Sequence, residues 1–86
     1  HVHISTISTK TLKSGKGTIK IICVNIKSTG SSVCNVYDAL SVTGTPIISL
    51  DTDTNYGELT YNIAFNTGLT VDIVGGSPAD LLFVFN

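Results

Sequence analysis

Charge is scarce in this chain. Of its 86 residues only 13% are Asp, Glu, Lys or Arg, and the net charge is −1. That is about half the charged share of an ordinary soluble domain. Nucleic acid is excluded as a partner, because binding its phosphates calls for a basic stripe. The five basic side chains, Lys10, Lys13, Lys16, Lys20 and Lys27, all lie in the N-terminal third and read as solvated strand edges. No apolar run approaches the roughly 18 residues of a membrane span, so no membrane partner is expected. Methionine is missing altogether and the chain begins at His1. The start is therefore expected to be processed or the sequence incomplete, and no signal peptide is visible.

Reactive groups are also sparse. There are two cysteines, Cys23 and Cys34, with no CxxC spacing and no histidine nearby, which argues against thiol redox chemistry and zinc. A hairpin turning near residues 28 and 29 would set the two opposite one another, within reach of a disulfide. Two small buried thiols are the preferred reading. His1 and His3 share one side of an extended segment and could chelate a transition metal if several chains met there, but a frayed terminus is the simpler expectation. Asp51-Thr52-Asp53-Thr54-Asn55 opens like a calcium loop. Tyr56 and Asn62 then occupy the sixth and twelfth positions, where that loop needs glycine and glutamate, so no metal and no cofactor is expected. Lys13-Ser14-Gly15-Lys16-Gly17-Thr18 has neither the spacing of a phosphate loop nor a helix after it. No nucleophile elbow is present, and nothing but being carboxylates recommends Asp38, Asp51, Asp53, Glu58, Asp72 and Asp80 for acid–base work. No catalytic residue is assigned, and the chain is expected not to be an enzyme.

What the chain does have is β pattern throughout. Thr, Ser, Val and Ile are abundant and turn residues recur every eight to twelve positions. Strands are predicted over 18–27, 33–38, 47–51, 58–65, 69–74 and 80–85. Residues 1–12 read as an extended arm or edge strand, and 13–86 as one domain, an all-β antiparallel β-sandwich or jelly roll of seven to eight short strands. Leu59, Tyr61, Ile63 and Phe65 alternate with polar residues and should face the core.

Two segments break that alternation. In 19–26, Ile19, Ile21 and Cys23 take one face while Ile22, Val24 and Ile26 take the other. In 81–85, Leu81, Phe83 and Phe85 oppose Leu82 and Val84. A domain this small cannot cover both faces with its own core, so one set should meet another molecule. The set Ile22, Val24, Ile26, Leu82 and Val84 is expected to form a self-association surface. Val2, Ile4 and Ile7 are expected to anchor the arm on a neighbour by strand addition.

Several short motifs look familiar together: Lys13-Ser14-Gly15-Lys16-Gly17-Thr18-Ile19, Val36-Tyr37-Asp38, the run from Leu59 to Val71 containing Phe65-Asn66-Thr67-Gly68-Leu69, and Ala79-Asp80-Leu81. Over residues 13–85 the chain resembles small virion structural proteins of tailed bacteriophages. Those share a glycine-led first strand, a Tyr-Asp closing the next strand and a Phe-x-x-Gly-Leu turn before a late strand. The resemblance implies a capsid decoration (cement), head-fibre or tail-associated β-sandwich and carries over no catalytic residue. One departure is that Leu82 and Val84 are apolar where such closing strands often carry polar residues. The expected role is a non-enzymatic decoration protein on the capsid exterior, assembled in the host cytoplasm. Its expected partners are its own copies, as a homotrimer, and the major capsid protein or a neighbouring virion protein. The alternative is a carbohydrate- or receptor-binding module of a fibre or cell-surface protein, with Tyr37, Tyr56 and Tyr61 stacking on sugars and Asp51, Asp53 and Asn55 as polar partners.

Overall fold

A computed structural model describes all 86 residues and contains no helix. The eight strands are β1 (Val2–Ile4), β2 (Thr9–Ser14), β3 (Gly17–Ile26), β4 (Ser32–Tyr37), β5 (Ile48–Asp51), β6 (Gly57–Phe65), β7 (Gly68–Gly75) and β8 (Asp80–Phe85). They form two four-stranded sheets, ordered β1-β8-β3-β6 and β2-β7-β4-β5. Every pairing is antiparallel, and the first strand pairs with the eighth, the second with the seventh, the third with the sixth and the fourth with the fifth. This is a double ribbon rolled into two layers, the jelly roll. The fold class expected from the sequence is the one found.

The core lies between the layers. From the first sheet come Ile4, Ile19, Ile22, Val24, Phe65, Leu81 and Phe83; from the second come Cys34, Val36, Ile48, Leu50, Leu69, Val71 and Ile73. Leu59, Tyr61 and Ile63 pack against this cluster but stay half-exposed, because β6 is an edge strand. At Gly75 the backbone has φ +133, and any side chain there would collide with the Ser31 carbonyl oxygen, so the β7–β8 turn can close on the start of β4 only with glycine.

Three expectations need correction. The first concerns residues 1–12. Of the two readings, arm or edge strand, the structure shows the second and overturns the first: β1 and β2 are edge strands, one on each sheet, so the sandwich spans residues 2–85. Val2 and Ile4 face Phe83 and Leu81, and Ile4 is only 2% exposed. Burying an isoleucine contributes roughly 1.5–3 kcal/mol, enough to dock a three-residue strand whose partner β8 would otherwise have an open edge. Only Ile7, in the crossing between the sheets, remains exposed.

The second concerns β3. Ile22 and Val24 are fully buried in the core and cannot form an outer surface. Opposite β8, Lys20 is an extra residue: Ile19 faces Phe85 while Ile21 faces Val84. One inserted residue reverses the side-chain alternation of everything beyond it. Ile19 therefore points in, Ile21 and Cys23 point out, and Ile22 and Val24 point in. On the other flank the compensating extra residue is in β6, where Asn62 adopts the left-handed conformation (φ 53).

The third is the hairpin drawn between Cys23 and Cys34. β3 and β4 belong to different sheets, and Cys34 lies in the core while Cys23 is on the outer side of β3. Both are free thiols.

Phe65, 1% exposed, is among the largest fully buried side chains. Phe65→Ala should cost about 3–5 kcal/mol, a large part of the stability of so small a domain. Chemical denaturation monitored by circular dichroism measures it, and a midpoint equal to that of the wild type would remove Phe65 from the core.

Candidate functional site: two unlike outer faces

The two sheets present different outer faces. On the β2-β7-β4-β5 sheet, outward polar side chains are paired across strands. Thr9 Oγ1 donates to Asp72 at 2.6 Å, Thr11 and Thr70 share a hydrogen bond at 3.0 Å, and Ser49 donates to Asn35 at 2.8 Å. Thr70 also donates to the Ala39 carbonyl at 2.8 Å, which ties the loop after β4 to this face. Val33 and Val74, opposite one another, are the apolar exception at its end.

The β1-β8-β3-β6 sheet is the reverse. Its two central strands turn Leu82, Val84, Ile21 and Cys23 outward, each half-exposed, as two directly opposed pairs: Leu82 with Cys23 and Val84 with Ile21. Ile26 is 62% exposed at the end of the same strand. Of the residues expected on this surface, Leu82, Val84 and Ile26 are there. Ile22 and Val24 are not, and Ile21 and Cys23 take their places. Period-two alternation assigned those two to the opposite side, and only the bulge at Lys20 separates the readings. The polar border holds His3, whose ring contacts the Asp80 carboxylate, and Glu58, opposite Cys23.

Away from these faces, Asp38 fastens one end of the sandwich. The backbone N–H groups of Thr67 (2.8 Å), Asn66 (3.0 Å) and Gly68 (3.4 Å) all donate to its carboxylate. These donors, Thr67 and then Asn66 foremost, hold the Asp38 carboxyl below its ordinary range. Gly68 lets the strands close here, since a Cβ would lie 2.6 Å from Leu40 Cδ2 and 3.0 Å from the Ala39 carbonyl oxygen. Tyr37-Asp38 and the Phe65–Leu69 turn, separate motifs in the sequence, are thus two halves of one contact.

The other candidates are dispersed. Asp51 and Asn55 are engaged with their own loop: Asp51 accepts the Asp53 N–H at 3.3 Å, and Asn55 Nδ2 donates to the Asp51 carbonyl at 2.6 Å. No three His, Cys, Asp or Glu side chains converge as metal ligands. Among the tyrosines, Tyr37 is buried, Tyr61 packs against the core, and only Tyr56, at 65%, is open to a ligand. A shallow depression of about 460 Å³ lies beside the β2–β3 turn, between Lys13, Lys16, Asn66 and Asn86. Burial, with the Asp72 charge adding to it, pushes the Cys34 thiol up to about 12, while Cys23 is the partly exposed cysteine of the two. Comparison of the chain with family models, curated proteins and solved structures finds no match.

The Asp38 contact carries a pH signature. A carboxyl held low in the folded state contributes stability that is complete above its unfolded value, about 3.9, and is lost as pH falls through the folded value. Asp38→Asn, which keeps an acceptor oxygen but no charge, should lower the thermal midpoint at pH 7, and the gap to wild type should close as pH drops below about 4. Thermal scans from pH 7 to 2 measure it; a gap unchanged at pH 2 would assign the loss to shape instead of charge.

Proposed function

We propose that this protein is a non-enzymatic virion structural protein, a jelly roll that decorates the capsid exterior of a tailed bacteriophage and strengthens the shell by contacts with its own copies and with the major capsid protein. The observation that carries this reading is the apolar outer face of β3 and β8, on a chain with little charge of its own. A free monomer that displayed Ile21, Cys23, Leu82 and Val84 side by side would be prone to associate. Jelly rolls serve viral capsids and also lectins, so the fold supports the reading by analogy alone. The resemblance in the turn motifs supports it from the sequence side, and the Asp38 contact gives those motifs a common structural purpose. Sugar binding is the weaker reading, because Tyr37 is buried and Tyr61 packs against the core, which leaves Tyr56 alone fully open.

Particle binding is the test. Purified protein added to phage capsids that lack it should co-sediment, saturate at a fixed ratio to the major capsid protein and raise the temperature at which the capsids rupture. Absence of the chain from purified virions by mass spectrometry, together with no co-sedimentation, would overturn the assignment.

A further inference from the structure

The registers of the β1-β8-β3-β6 sheet line its outward side chains into rows. His3 on β1 faces Leu82 on β8, Leu82 faces Cys23 on β3, and Cys23 faces Glu58 on β6. The next row contains Val84, Ile21 and Thr60. The first row has an imidazole at one edge, a carboxylate at the other, and a large apolar side chain beside a small one between them. Such a row is its own complement.

We propose that this face pairs with the same face of a second copy, about a two-fold axis that runs along the strands between β8 and β3. That rotation lays Leu82 over Cys23 of the other copy, Val84 over Ile21, and His3 over Glu58, each contact occurring twice, as a two-fold interface requires. Bulk meets lack of bulk at Leu82 and Cys23, and polar groups meet at both borders. Asp80 holds the His3 ring from its own chain, so the imidazole is kept at the edge where the other copy's Glu58 arrives. The axis also keeps the strands of the two sheets roughly aligned, the usual way for sheets to pack face to face. A foreign partner would need a complementary face, but it would not require this face to complement itself.

Area sets the strength. Four strands about 4.8 Å apart and about seven residues long give a face of roughly 19 by 23 Å, or about 900 Å² for the pair. That falls short of the roughly 1,200–2,000 Å² of stable specific interfaces, so the pair should form weakly and reversibly. It replaces the homotrimer expected from sequence with a closed pair, and it goes beyond the virion reading because it is a property of the purified protein.

Sedimentation equilibrium should show monomer and dimer in concentration-dependent exchange. Leu82→Lys, and separately Val84→Thr, should weaken dimerisation at least about tenfold while circular dichroism retains the β signal; if Leu82→Lys fails to fold, Val84→Thr alone decides. Cys23 reports the geometry, since the axis brings the two copies of this thiol to within about 10 Å. A short bismaleimide should give a covalent dimer that disappears in Cys23→Ser and in Val84→Thr. A monomer at every concentration, a trimer, or a dimer unaffected by Val84→Thr would overturn the proposal. Capsid binding is read in a different experiment, so either reading can fail without the other.

Discussion

The side-chain alternation of β3 is the constraint on which the rest of the structure depends. β3 is bonded on both flanks, to β8 and to β6, and its inward residues Ile19, Ile22 and Val24 fill the middle of the core. The residue inserted at Lys20 lets all three point inward although they do not share a simple two-residue spacing. The same insertion turns Ile21 and Cys23 outward beside Val84 and Leu82. From Ile19 to Val24, core and outer surface are therefore set by one irregularity, without which Ile22 and Val24 would move to the solvent side; a second shift, at Asn25, turns Ile26 outward.

The outer faces show two ways for a small sandwich to treat the sides that its core does not use. The β2-β7-β4-β5 sheet satisfies its outward groups among themselves, through Thr9 with Asp72, Thr11 with Thr70 and Ser49 with Asn35. Such a surface has little left to offer a partner. The β1-β8-β3-β6 sheet leaves apolar groups half-covered, with ionisable groups at its borders. The division gives the molecule one self-sufficient side and one side with uncovered apolar surface.

Much of this was legible in the sequence. Leu59, Tyr61, Ile63 and Phe65 alternate cleanly, and the structure packs all four on or against the core. The strands from β3 onward fall close to their predicted bounds, because Gly and Asn/Asp turns mark their ends. β2 was not legible: Thr9-Lys10-Thr11-Leu12-Lys13-Ser14 is an edge strand with a single apolar side chain, so its pairing with β7 comes from backbone and side-chain hydrogen bonds that leave no hydrophobic pattern. The bulge at Lys20 was not legible either, since an inserted residue changes side-chain direction without changing composition. The sequence showed that two strands are apolar on both sides; it could not show which side of β3 is which. The role of Asp38 was hidden for a different reason, as its partners are backbone N–H groups some thirty positions away.

The nested pairing of strands has a kinetic side. Each ribbon rung encloses the one before it, from β4 with β5 out to β1 with β8. A chain built this way can zip outward from the middle, so each new rung closes only a small additional loop even though the final one joins the two ends of the polypeptide. Unzipping runs in the opposite order. The outermost rung is three residues of β1 laid on β8, with Ile4 as its one deeply buried side chain. It is the first rung to open, and opening it bares the backbone of β8, a vacant strand position that another extended segment can fill.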